Sequence, residues 1–293
     1  MRIEEKCSNL WWSTPNILIY NVTIKYILSK RSLHLQESWE NLAKLDPYWS
    51  VLSDSDKIDN GWDLITFYST GKMQIEKILT LLKENGIKIR ANCALDYGCG
   101  VGRLSEALAG IFLQVIGVDF SQNMINLAEA HNVFHNLTYK RVNGRDLLEF
   151  SDKTFDLVIS LITLQHTIPK IQYNIIREMS RVIKDDGVII LSVITNDNVT
   201  NYLRNAVSDI SPKIANFILS ITQKLLQKKI GHFEKGISAQ IFSISKRKLD
   251  ILLKSLHMNY IYLDTADLNY QTSSKLEIYI LFKAGRELSI MQD

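Results

Sequence analysis

The chain has 293 residues, 46% of them apolar and 22% charged, the balance of a soluble globular protein with a sizeable core. Residues 7–24, the longest uncharged stretch near the start, are interrupted by polar residues and proline, which predicts neither a membrane span nor a signal peptide and places the protein in the cytoplasm. Three cysteines, Cys7, Cys93 and Cys99, without a Cys-x-x-Cys pair argue against a disulfide framework or zinc site, and a net charge of +3 does not announce nucleic acid.

All five tryptophans, Trp11, Trp12, Trp39, Trp49 and Trp62, fall in the first 62 residues. They make residues 1–90 an aromatic-rich, mostly helical extension whose rings either dock it on the body of the protein or wall a ligand pocket. Residues 38–43 read as helix. Asp46-Pro47 reads as a break, since a residue before proline avoids the helical region. Met73 to Lys83 has an apolar stripe at 75, 78, 79 and 82, which predicts a helix. Gly61 and Gly71 punctuate the chain ahead of it, so FYSTGK, 67–72, is expected to precede that helix.

Residues 91–195 carry the most informative pattern. Cys93 to Tyr97 is a short strand, after which Gly98, Gly100 and Gly102 let the backbone turn sharply and approach a ligand. A helix over about 101–110 would aim its unsatisfied N–H groups at whatever the loop holds. A second strand, 113–118, ends at Asp119, whose two carboxylate oxygens can accept both hydroxyls of a ribose. Strand, glycine loop, helix, strand and acid form the first half of a Rossmann-type nucleotide-binding unit. A dinucleotide loop would place a third glycine where Arg103 stands; the spacing here is Asp-x-Gly-x-Gly-x-Gly, starting at Asp96.

That spacing, followed in order by Asp119-Phe120, by 141–168 and by 175–193, resembles the class I S-adenosylmethionine (SAM) methyltransferases of the type-11, ubiquinone-methylase-like group. The resemblance implies an α/β fold, a doubly wound seven-stranded sheet of order 3-2-1-4-5-7-6 with its last strand antiparallel, and SAM as cofactor. It implies that Asp119 binds the ribose and that Phe120 and Met124 flank the adenine. Asp96, Gly98, Gly100 and Gly102 belong to the cofactor loop, Cys99 lines it as a small side chain only, and Leu161 and Gln165 line it from the end of strand 4. Tyr68, with Gly71 and Lys72, would fold over the methionine end. Many members carry Gly-Asp-Ala in the adenine loop, whereas this chain has Asn143, Gly144, Arg145 and Asp146. Either Asp146 or backbone carbonyls would then meet the adenine amino group. Arg103 either reaches the SAM carboxylate or a neighbouring acid, or is a solvated helix residue.

Beyond strand 5, read as 188–194, residues 196–244 form a helical insertion. From 198 to 260 there are ten Lys or Arg against three Asp or Glu, so this stretch is basic and the rest of the chain acidic. An apolar stripe through Ile214, Phe217, Ile218, Ile221 and Leu225 is open to three readings: packed structure, a lid, or a helix on a membrane surface. Lysines there would favour an anionic acceptor. Ser245 reads as the N-cap of a last helix, 246–256, and two strands complete the sheet within 245–293.

Methyl transfer from SAM asks the protein for alignment and exclusion of water, and a hydroxyl acceptor also asks for a base. The end of strand 4 offers Gln165 and His166, and His166 either serves as that base or holds the loop. His34, His131, His135 and His232 show no metal-ligand spacing, so no metal is expected. The leading expectation is a methyltransferase acting on a small-molecule, glycan or lipid-linked acceptor, at oxygen rather than nitrogen. A SAM-binding regulatory subunit without catalysis and a nicotinamide oxidoreductase are the alternatives.

Overall fold

The structure is a computed structural model, described here for residues 36–195, 241–263 and 276–284. Trp11, Trp12, His34, His232, Cys7 and the apolar stripe of the basic insertion lie outside these residues. The amino-terminal part is helical: α1 spans 36–45, α2 Pro47–Val51 and α3 Leu64–Glu84. Pro47 opens α2 because its missing N–H costs nothing at a first helical position, and Asp46 caps the helix by accepting from Trp49 N at 3.3 Å.

Seven strands follow, β1 Cys93–Tyr97, β2 Gln114–Asp119, β3 Leu137–Arg141, β4 Phe155–Ser160, β5 Ile183–Ile194, β6 Met258–Leu263 and β7 Leu276–Lys283, interleaved with α4 Arg103–Ala109, α5 Gln122–His131, α6 Pro169–Val182 and α7 Lys246–Ser255. They form one sheet of order β3-β2-β1-β4-β5-β7-β6, with β7 antiparallel to both neighbours, the topology implied by the resemblance. The central strands are buried on both faces, so they read as continuous apolar runs; the edge strands β3 and β6 keep exposed positions. One face packs against Ile75, Leu104 and Ile125 of α3, α4 and α5, and the other against Ile176, Met179 and Leu249 of α6 and α7. Ser245 caps α7 as expected, accepting from Lys248 N at 3.4 Å.

Two expectations are corrected. FYSTGK does not precede a helix: α3 begins at Leu64, capped by Asp63, and runs through Gly71. The glycine is there because α3 presses on α4, and a Cβ at Gly71 would collide with the Arg103 carbonyl. Strand 5 starts at Ile183, not 188. Phe155 pairs with Ile183 and Leu157 with Val188, so Asp185-Asp186-Gly187 is taken up as an irregularity inside the strand.

Candidate active site

Parallel strands β1, β2 and β4 end side by side, and their carboxyl ends open into a cavity of about 740 Å³ counting its mouth. The floor is the glycine loop. Gly98 has φ +76°, and a Cβ there would collide with the Thr163 side chain; a Cβ at Gly100 would lie 2.6 Å from Val51 Cγ2 of α2. The loop is thus sandwiched between the end of β4 and the amino-terminal helices. Gly102, at φ +90°, begins α4 and is pressed from behind by the Tyr139 hydroxyl.

Asp119 closes β2 at the cavity wall, with Oδ2 accepting from Gly100 N at 3.0 Å and Oδ1 from Ser121 N at 2.8 Å. Each oxygen retains a second lone pair for a hydroxyl donor. Burial pushes this carboxyl up to about 6, and Glu40 nearby adds to the rise, against the pull of the N–H groups. Phe120, Met124, Val142 and Gly144 complete an apolar flank beside it.

Across the cavity the chain leaving β4 makes the second wall. Ile162 has φ +59°, a rare conformation for a β-branched residue that costs about 1–3 kcal/mol and persists only where its surroundings hold it. Here the buried Ser192 hydroxyl holds it, accepting from Ile162 N at 2.7 Å. Thr163 follows, its hydroxyl 3.3 Å from the Gly98 carbonyl, and then a single 3-10 turn, Leu164–His166. His166 reaches the cavity, where the Trp39 ring meets it edge-on with centroids 4.8 Å apart.

Of the residues singled out in the sequence, Gly98, Gly100, Asp119, Phe120, Met124, Gly144, Leu161 and His166 line this cavity. The others sit elsewhere. Asp96 is buried beneath the loop, accepting from Ser105 Oγ at 2.7 Å, with desolvation holding its carboxyl at about 6. Cys99 is buried, and burial drives its thiol up, out of nucleophilic range. Arg103 is not a solvated helix residue: it is buried, its charge favours the ionised Asp96, and it donates to Gln74 Oε1 at 2.7 Å and Thr70 Oγ1 at 3.2 Å, fastening α4 to α3. Tyr68 donates to the Val101 carbonyl from outside the lining, and Lys72 is exposed on α3. Arg145 is exposed, while Asp146 accepts from Asn143 Nδ2 at 2.9 Å within its own turn. Gln165 is buried and its backbone carbonyl accepts from Phe242 N at 2.7 Å. Among the described tryptophans Trp39 walls the cavity, whereas Trp49 and Trp62 donate to the Asp54 and Leu52 carbonyls and dock the extension. Ser50, Val51, Ile162 and Thr167 line the cavity without a sequence signal, since apolar and hydroxyl side chains carry no motif.

Among the described residues no group of three or more His, Cys, Asp or Glu is placed to hold a metal ion, and no helix is long and apolar enough to cross a membrane.

Residues 95–191 match the family described as "Methyltransferase domain". The chain is similar to the "Ubiquinone biosynthesis O-methyltransferase" of Pseudomonas fluorescens (strain Pf0-1), 30% identical over 181 residues, covering 60% of this chain and 72% of that protein. The protein of the same description from Pseudomonas syringae pv. tomato is 29% identical over 213 residues, covering 70% and 85%. In fold it is similar to a S-adenosylmethionine-dependent methyltransferase from Clostridium acetobutylicum, with TM-score 0.50, 17% identity and coverage of 78% of this chain and 96% of that one. A solved structure described as "DhpI-SAM-HEP complex" gives TM-score 0.53 at 15% identity, covering 85% and 97%.

Proposed function

The chain belongs to the class I SAM-dependent methyltransferases, and on that premise we propose that it methylates a hydroxyl group of a small, largely apolar acceptor with His166 as the base. The observation that carries this reading is the composition of the second wall. Trp39, Ile162, Thr163, His166 and Thr167 offer aromatic and apolar surface with two hydroxyls, and among these the imidazole is the sole group able to take a proton near neutral pH. The relatives' description as O-methyltransferases supports an oxygen acceptor.

The cavity fits SAM: the turn through Gly98 and Gly100 lines its floor with backbone free of side chains, and Asp119 presents two partly used carboxylate oxygens at the end of β2. Asp119 would hold the ribose, Phe120 and Met124 the adenine, and the loop at Gly98 and Gly100 the rest. The bound cofactor supplies an electrophilic methyl group on a sulfonium sulfur. His166 accepts the acceptor's proton as its oxygen attacks, which spares the site a free alkoxide. Trp39, Val51 and Ile162 exclude water and orient the acceptor, the larger part of what such a displacement needs.

Replacing His166 by alanine tests the assignment. Turnover of an alkyl-substituted catechol should fall by roughly 10² to 10⁴ while SAM affinity in calorimetry is retained. Normal turnover in that variant would reduce His166 to a loop residue. The lysines of the basic insertion favour an anionic acceptor, and the described wall offers no cation to match; a sugar phosphate accepted in preference to the catechol would reverse this choice.

A further inference from the structure

The wall residue Trp39 does not belong to the methyltransferase core. It stands on α1, and the next residue, Glu40, makes the connection that fixes it there. Glu40 Oε1 accepts from Gln122 N at 2.9 Å, and Oε2 accepts from Ser121 Oγ at 3.0 Å and Asn123 Nδ2 at 2.6 Å, with Asn123 N at 3.4 Å. These groups are the start of α5, the helix that follows Asp119. A helix begins with four N–H groups lacking partners inside it. At α5 Ser121 N donates to Asp119 Oδ1 at 2.8 Å, the N–H groups of Gln122 and Asn123 point at Glu40, and Met124 N donates to Ser121 Oγ at 3.2 Å. The first turn is therefore completed by a carboxylate some 80 residues upstream, at the end of the helix where negative charge is favoured.

Adjacent residues on a helix diverge by about 100°. Glu40 grips α5 while Trp39 turns into the cavity against His166, so the grip sets both the roll and the height of α1. It is held at a cost, because Glu40 lies close enough to Asp119 to raise that carboxyl further.

We propose that Glu40 is a positioning residue for acceptor recognition: by capping α5 it holds Trp39 edge-on against His166, so the acceptor wall depends on a carboxylate outside the cavity lining. The inference rests on the reading of that wall given above.

The test uses the full chain and two readouts. Subtracting the fluorescence of a Trp39→Phe variant isolates the Trp39 emission, whose exposure acrylamide quenching reports. In Glu40→Ala this emission should move to the red and become more quenchable. The KM of the alkyl catechol should rise roughly ten-fold or more, kcat changing less, as expected when an orienting wall shifts. Glu40→Gln, which keeps one acceptor oxygen, should fall between the two. Asn123→Asp provides a variant in which α5 keeps a favourable first turn while the new charge expels Glu40, and it should reproduce the alanine result. Trp39 emission and catechol KM that stay as in the wild type in both Glu40→Ala and Asn123→Asp would overturn the inference, leaving Leu42 and Ala43 packing as what holds α1. Failure of the methyl-transfer reading looks different: catechol is not turned over by any variant, wild type included, while the Trp39 signal still responds to Glu40.

Discussion

Cofactor affinity should depend on pH with a midpoint set by the buried carboxyl of Asp119 at the cavity wall. Asp119 can accept a ribose hydroxyl through both oxygens only when ionised; once protonated, one oxygen becomes a donor. Burial in the β2 end and the charge of Glu40 push its carboxyl to about 6, while the Ser121 and Gly100 N–H groups pull it down. Asp96, buried beneath the loop, lies at about 6 for the same leading reason. Because the ionised form binds, affinity is full above this midpoint and is lost as pH falls through it. From pH 8 down to 6 the dissociation constant should therefore rise only about two-fold, and by pH 5 roughly ten-fold, about 1.4 kcal/mol. S-adenosylhomocysteine, the demethylated product, is a suitable probe for calorimetry from pH 8 to 5. Asp119→Ala should bind it more weakly at pH 8 by about 1.5–3 kcal/mol, the worth of a charged hydrogen-bond acceptor. An affinity that is flat across this range in the wild type, and equal in Asp119→Ala, would refute the reasoning.

Ser192→Ala should lower stability by about 1–3 kcal/mol in denaturant unfolding, because it leaves the Ile162 N–H without its acceptor and frees a strained residue; it should also raise the catechol KM, and an unchanged stability would mean that Ile162 is held by packing alone. Gly71→Ala should destabilise by about 1–3 kcal/mol despite a gain of about 1 kcal/mol in helix propensity, since its Cβ collides with the Arg103 carbonyl; thermal unfolding at or above the wild-type temperature would contradict the close α3–α4 approach. Trp39→Ala should raise the catechol KM and leave S-adenosylhomocysteine affinity within a few-fold, the ring standing against His166; equal losses of both would place Trp39 on the cofactor side.

The sheet order is legible through the family resemblance, and the glycine-loop side of the cavity through residues that backbone geometry constrains. Gly98 and Gly100 allow close approach, and Asp119 ends a strand, so spacing alone locates them. What was not legible depends on tertiary contact. Arg103 reads as a surface or ligand-binding arginine until α3 brings Gln74 and Thr70 to it. Gly71 reads as a break in the chain because its reason, the backbone of α4, lies 32 residues on. The resemblance puts Tyr68 and Lys72 at the methionine end; both stand on α3, Tyr68 donating to the Val101 carbonyl of the glycine loop and Lys72 exposed to solvent. The strained Ile162 gives no signal in a sequence, since nothing about an isoleucine announces a positive φ. The acceptor wall was anticipated only as a role for some of the tryptophans, and packing selected Trp39.

The most direct test of the central claim is product mass analysis after incubating the wild-type protein with methyl-labelled SAM, an alkyl-substituted catechol and the matching aromatic amine. The account expects the labelled methyl group on a catechol oxygen, formed in step with S-adenosylhomocysteine. Label on the amine nitrogen, or no labelled product from a protein that binds SAM, would contradict it.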